Sequence, residues 1–191
     1  MRNADATRQR ILEAARAEFS RFGLAGARVN RIAADSGANK ERIYANFGSK
    51  EGLFEAVMAD RLSQHARGVG AWEGTPDEII DRLRDRHTES PDLLRLMLWE
   101  ALEVGDALVP DEARRRAHYQ ERLAALAAAF ELPSKAEAGA AMMLLIGLGA
   151  WARTMPQLAR MLAPEDDVEA FETAMDGLLH KLARVALDNG G

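Results

Sequence analysis

The chain has 191 residues, no cysteine, 48% apolar and 29% charged residues, and a net charge of −5. The missing cysteines exclude disulfides, thiolate nucleophiles and cysteine metal sites, and fit a reducing cytoplasm, while the apolar share excludes a disordered chain. The most apolar run, residues 139–152, has fourteen residues where a bilayer span needs roughly 20, and the polar start MRNADATRQR lacks a secretory stretch.

Taken in chain order, Ile11, Ala15, Phe19 and Phe22 share one helical face, and Gly23 can end that helix. A short helix is expected over about 29–36, with Ile32 and Ala33 inward and Gly37 at its end. Asn39 can cap the next helix, 40–47, and Ser49 the longer one that carries Leu53, Phe54, Val57 and Met58. Beyond Gly68, the stretch Thr75-Pro76-Asp77-Glu78 combines an N-cap, a proline at the first helical position and a capping-box glutamate. Ser90-Pro91 opens a helix apolar on nearly all sides, which predicts enclosure by other helices. A further helix spans roughly 111–130. Ser134 and Glu137 offer a second capping box before the most apolar helix, which runs to about 154. The last helix, near 167–187, places Phe171, Met175, Leu178, Leu179, Leu182, Val185 and Ala186 on one stripe. The expected fold is all-α, with a three-helix head at 1–48 and a helical body at 49–191.

Charge divides unevenly between these parts. Residues 1–50 carry ten Lys/Arg and five Asp/Glu, +5, and the remainder carries −10. A basic head on an acidic body points the head at a polyanion; chance clustering of solvated charge is the alternative. The segment GANKERIYANFGSK, residues 37–50, has the form of a helix-turn-helix, in which one helix braces and the second enters the major groove. Ile43 and Phe47 lie four apart and face inward. Asn39, Lys40, Arg42, Ala45 and Asn46 are then left toward solvent or DNA, at a helix N-terminus whose partial charge suits a phosphate.

TRQRILEAARAEFSRFG followed by RIAADSGANKERIYANFGSKEGLF resembles the N-terminal domain of the tetracycline-repressor (TetR) family of transcription regulators. The matching positions, from Thr7 through Ile11, Phe19, Gly23, Gly37, Tyr44, Phe47 and Lys50 to Leu53, span about residues 7–58. The resemblance implies a homodimer on double-stranded operator DNA, with 40–47 as the recognition helix and with Tyr44 and Lys50 on phosphates. Arg42 is the best candidate for reading guanine; Lys40 reads a base or holds a phosphate. Two positions depart from the family. Arg28 stands where no side-chain oxygen can cap the second helix, so a looser helix start is expected, with a phosphate or minor-groove contact as the compensating role. Glu41 replaces a residue that is often small; it favours its own helix N-terminus, with acceptance from a cytosine amino group as the second reading.

The resemblance also implies that the body makes the dimer and encloses a small-molecule effector. For the dimer, the last two helices are too apolar to face water, and pairing them with a second copy would bury both stripes. That face comprises Leu144, Gly147, Leu148, Trp151, Phe171, Met175, Leu178, Leu179 and Leu182; completing the monomer core is the alternative. For the effector, the conspicuous body residues are His87, Met97, Trp99, His118, Tyr119, Met142 and Trp151, each of which can also be ordinary packing. The stretch after Ser49 and Trp72 are expected to couple body to head. The four histidines lack HxxxH spacing, and there is no GxSxG elbow, phosphate loop or HExxH, so no metal, cofactor or catalytic role is expected. The expected function is thus a homodimeric repressor released from its operator by a small molecule; the alternative is a DNA binder of the same fold with a filled body core and no effector.

Overall fold

Apolar residues recur at steps of three and four along most of the chain, and helices form wherever they do. The computed structural model describes residues 2–68, 74–107, 109, 111–164 and 167–188, and its regular structure among them is ten helices. In order these are α1 (Arg2–Gly26), α2 (Val29–Ser36), α3 (Lys40–Phe47), α4 (Lys50–Gly68), α5 (Pro76–Glu89), α6 (Pro91–Val104), α7 (Glu112–Ala129), α8 (Lys135–Thr154), α9 (Pro156–Leu162) and α10 (Val168–Asp188). They form two units. One is Met1–Arg67 with Asp92–Pro110; the other is Gly68–Pro91 with Asp111–Gly191. The division at residue 48 marks the end of the helix-turn-helix, whereas packing groups α4 and α6 with the first three helices.

The first unit closes around Ile11, Leu12, Ala15 and Phe19 of α1, Ile32 of α2, Ile43 of α3, Leu53, Phe54, Val57 and Met58 of α4, and Leu96 of α6. Three short helices bury too little alone, so the longer α4 and α6 complete the core. Phe19 meets Phe54 edge to face, with centroids 5.1 Å apart and planes at 89°, a geometry worth about 0.5–1.5 kcal/mol beyond area burial. Gly23 does not end α1 as expected. It breaks the helix at φ 67°, ψ −178°, and one more turn follows to Gly26. The break brings its face against the indole of Trp99: a Cβ at Gly23 would stand 2.7 Å from Trp99 Cε3.

The second unit is organised on α8, which packs against α5, α7, α9 and α10. Ile79, Ile80 and Leu83 of α5 meet Leu123 and Leu126 of α7, Ala138, Met142 and Leu145 of α8, and Leu179 of α10. The capping box of α5 forms in full: Thr75 Oγ1 accepts from Glu78 N, and Glu78 Oε2 accepts from Thr75 N. Ser134 Oγ accepts from Glu137 N at 3.1 Å at the start of α8. The enclosure expected of α6 is one-sided, since Leu98 and Leu102, four residues apart, stand exposed. Between the two last expected helices lies a further one: Pro156 starts α9, bent by 83° from α8. Among the described residues no single helix is long and apolar enough to cross a membrane. Trp72 and the side chains of Val185 and Ala186 lie outside the described residues.

Candidate nucleic-acid interface

The bracing helix α2 begins without a side-chain cap, for Arg28 at its N-cap is extended (φ −121°, ψ 118°) and offers no oxygen. Its start is nonetheless held, which corrects the expected looseness. Glu18 reaches over from α1, and its Oε1 accepts from Arg28 N at 2.8 Å. The same carboxylate takes Arg31 Nε at 2.9 and 3.0 Å, and the Arg31 guanidinium lies 4.4 Å over the Phe22 ring. Burial alone would raise the Glu18 carboxyl, but the hydrogen bonds from Arg31 and Arg28 outweigh it and hold it below the usual carboxylate range. Glu18 thus serves as a cap borrowed from another helix. No local motif announces it, because its partners lie 10 and 13 residues away.

The turn to α3 follows the expected chemistry. Gly37 takes the left-handed conformation at φ 66°, and Ala38 N donates to Ala33 O at 3.2 Å, closing α2. Asn39 Oδ1 accepts from Arg42 N at 2.9 Å and so caps α3. Ile43 is 1% exposed and anchors the helix in the core. Phe47 is half-buried, with the Arg8 guanidinium 5.1 Å over its ring; Arg8, like Glu18, carries no signal in a reading of local periodicity. Ser49 Oγ accepts from Gly52 N at 3.0 Å and starts α4.

This packing turns one face of α3 outward. Lys40, Glu41, Arg42, Ala45 and Asn46 are exposed, as is Arg28 ahead of α2, and Tyr44 is 45% exposed. Not all of the expected contact residues are equally available. The Asn39 oxygen is engaged by the cap. Asn46 Nδ2 donates back to Arg42 O at 2.7 Å. Lys50 is half-buried, and its Nζ donates to Ala25 O and Ala27 O at 3.4 Å each, which ties the start of α4 to the joint between α1 and α2. A side chain so held has a fixed place beside the start of α2.

The seven effector candidates do not come together. Met97 packs on the core of the first unit and Trp99 lies against Gly23 in that unit, whereas the other five belong to the second. His87 is buried at the end of α5, where a Cβ on Gly149 would come 3.2 Å from its Nδ1. Burial pushes its imidazole below the ordinary value, with the charge of Arg153 acting the same way and the Gly149 backbone opposing. Met142 is core. Tyr119 packs against that core, with the His118 ring 5.9 Å from its own, and burial with Arg122 nearby lowers His118. Trp151 is 49% exposed. It shares an open strip of α8 with Leu144, Leu148 and Gly147, beside which a Cβ would meet nothing within 4 Å. Leu178 and Leu182 of α10 are exposed too, and Phe171 and Met175 half-buried, but Leu179 points into the unit's own core. Among the described residues no three ligating side chains gather as a metal site.

Comparison with known proteins adds the following. Residues 11–57 match the family model for bacterial regulatory proteins of the tetR family, and residues 76–176 match the model for the tetracyclin repressor-like C-terminal domain. The HTH-type transcriptional repressor SCO4008 of Streptomyces coelicolor is 40% identical over 191 residues, covering 97% of this chain and 95% of its own length. Among solved structures, the Streptomyces coelicolor regulator SCO4942 superposes with a TM-score of 0.73 at 28% identity, covering 92% of this chain and 97% of that one. The regulator FadR of Bacillus subtilis, solved in complex with stearoyl-CoA, shares the fold at a TM-score of 0.57 and 16% identity, covering 90% and 96%.

Proposed function

Because the chain belongs to the tetracycline-repressor family of DNA-binding transcription regulators, we propose that it is a cytoplasmic homodimeric repressor that a small molecule releases from its operator. The observation that carries the DNA-reading part is the exposed face of α3, where Lys40, Arg42, Tyr44 and Ala45 stand outward from a helix pinned by Ile43. Arg42 is the guanine reader, since a guanidinium matches the paired acceptors of that base. Lys40 and Asn46 flank it, while Arg28, Asn39, Tyr44 and Lys50 fix the backbone register. Glu41 occupies the first turn of α3, where a carboxylate favours the helix dipole.

Residues 49–191 supply support, dimer face and effector site. The open strip of Leu144, Leu148 and Trp151 with Leu178 and Leu182 supports pairing of α8 and α10 with a second copy, because such a stripe is costly in water. That SCO4008 is a repressor supports repression here. FadR holding stearoyl-CoA supports an effector in this fold, and Met142 in the second unit's core, Tyr119 packed against it and the buried His87 are the candidates that line that unit's interior. The effector would favour a spacing of the two α3 helices that no longer fits successive major grooves, about 34 Å apart.

Gel shifts on duplexes from around the protein's own gene, run at rising salt, test the first part. A specific complex that weakens steeply with salt is expected; no preference over random DNA defeats it. A thermal-shift screen tests the second, since a ligand bound only by the native state raises Tm. A body that no small molecule stabilises points to the effector-free alternative.

A further inference from the structure

The last two residues of α1, Ala25 and Gly26, and Ala27 just after them collect contacts from three other helices. Ala25 N donates to Glu103 Oε1 of α6 at 3.0 Å. Ala25 O and Ala27 O accept from Lys50 of α4, and Gly26 O accepts from Arg31 Nη2 of α2 at 3.2 Å. Directly after this joint, Arg28 N passes to Glu18 and α2 begins. The joint is therefore where the bracing helix and Lys50 both take their places.

Long side chains of α6 reach α1 at successive points that run in the same direction along both helices. Asp92 meets Arg16 at 3.0 Å, Arg95 Nε donates to Ser20 O at 3.0 Å, Trp99 fills the space beside Gly23, and Glu103 takes Ala25 N. Asp92 also meets Arg61 of α4 at 3.1 Å, so the start of α6 is fixed to two helices. Leu96 is fully buried between these contacts. The register of α6 thus sets where its last turn, and Glu103 with it, stands against the joint.

We propose that Glu103 and Trp99 are positioning residues for operator recognition: from the last turns of α6 they set the geometry of residues 25–27, and through it the placement of α2 and Lys50 on DNA. The assignment rests on the DNA-binding reading above and deepens it.

Plain electrostatics makes the opposite prediction, which keeps the proposal testable. Removing a carboxylate from a DNA-binding protein should tighten binding to a polyanion. The full chain first enriches its own site from a random-sequence duplex pool, and the enriched duplex then serves as probe in fluorescence anisotropy. Glu103→Ala is expected to bind that duplex about fivefold more weakly than wild type, the loss of roughly one hydrogen bond's worth of placement. Glu103→Gln keeps the acceptor oxygen and should restore most of the affinity. Both variants should bind an unrelated duplex at least as well as wild type, with unchanged urea midpoints, because the Glu103 bond is solvent-exposed. Wild-type or tighter binding of the enriched duplex by Glu103→Ala overturns the proposal, and so does failure of Glu103→Gln to rescue. A wild-type chain that enriches no site overturns the DNA-binding reading itself, and the proposal with it.

Discussion

Gly23 and Gly37 both carry a positive φ, at 67° and 66°, yet an added methyl group meets different surroundings at each. At Gly37 a Cβ finds nothing within 4 Å, so Gly37→Ala should cost about 1 kcal/mol from backbone conformation alone. At Gly23 the backbone (φ 67°, ψ −178°) lies in a region that essentially only glycine visits, the Trp99 indole adds a collision, and Gly23→Ala should cost more, about 2–4 kcal/mol. Urea unfolding of both variants checks the difference, and in a Trp99→Leu background Gly23→Ala should cost less than it does beside the indole, because the collision is gone and only the backbone strain remains. The borrowed cap makes its own prediction. Glu18→Ala removes the acceptor of Arg28 N and the partner of Arg31, and should destabilise the protein by about 1–2 kcal/mol in the same measurement. If it is neutral, α2 does not depend on α1 for its start.

Helices differ in how openly their residues announce them. The start of α5 was legible to the residue, because Thr75, Pro76 and Glu78 act on one another within a single turn and need nothing else. Thr75→Ala should accordingly cost about 1 kcal/mol, read from a thermal melt. The α2–α3 turn was legible for the same reason, through Gly37 and Asn39. Elements whose stability comes from distant partners were harder to read. α9 is only seven residues long, too short for periodicity to show, although Pro156 was a usable start signal. The composition of α6 predicted enclosure, but the pattern does not say which of its positions stay open, as Leu98 and Leu102 do. On α3 the outward face was readable from the spacing of Ile43 and Phe47. The hydrogen bonds that occupy Asn39, Asn46 and Lys50 were not, because side-chain direction depends on neighbours that a periodicity cannot name. Arg42→Ala is therefore expected to lower affinity by about 1–3 kcal/mol and relax specificity at one base pair, and binding assays on single-base variants of the enriched site decide between that and a uniform loss.

For the molecule as a whole, acid should weaken the two units in turn. The buried His87 imidazole lies below its ordinary 6.5, so on acidification the unfolded chain takes up the proton first. Its contribution is complete above that value and declines as pH falls below it. Glu18 is held below the ordinary 4.5, and its contribution declines only as pH falls through that lower range. Hydrogen-exchange protection factors measured between pH 7 and pH 5 should therefore fall in α5 and α8 while α1 and α2 keep theirs; simultaneous loss would defeat this order. The proposed dimer has an equally direct check, since Leu182→Glu on the exposed α10 stripe should give monomers in sedimentation with helical content intact. The effector candidates are least legible of all, because large side chains at helical spacing look alike whether they line a pocket or fill a core, and Met97 and Trp99 pack in the first unit, apart from the other five.

One consequence of the chain path concerns modularity. The polypeptide leaves the first unit after Arg67, builds α5, and comes back as α6 before leaving again. A head cut out at residue 67 therefore loses Leu96 from its core and Asp92, Arg95 and Glu103 from α1. Exchange of the DNA reader through a single splice at residue 67 is expected to lose these contacts. An exchange that preserves the reader must carry residues 92–104 along with it, and head and body are for that reason expected to be inherited as a pair.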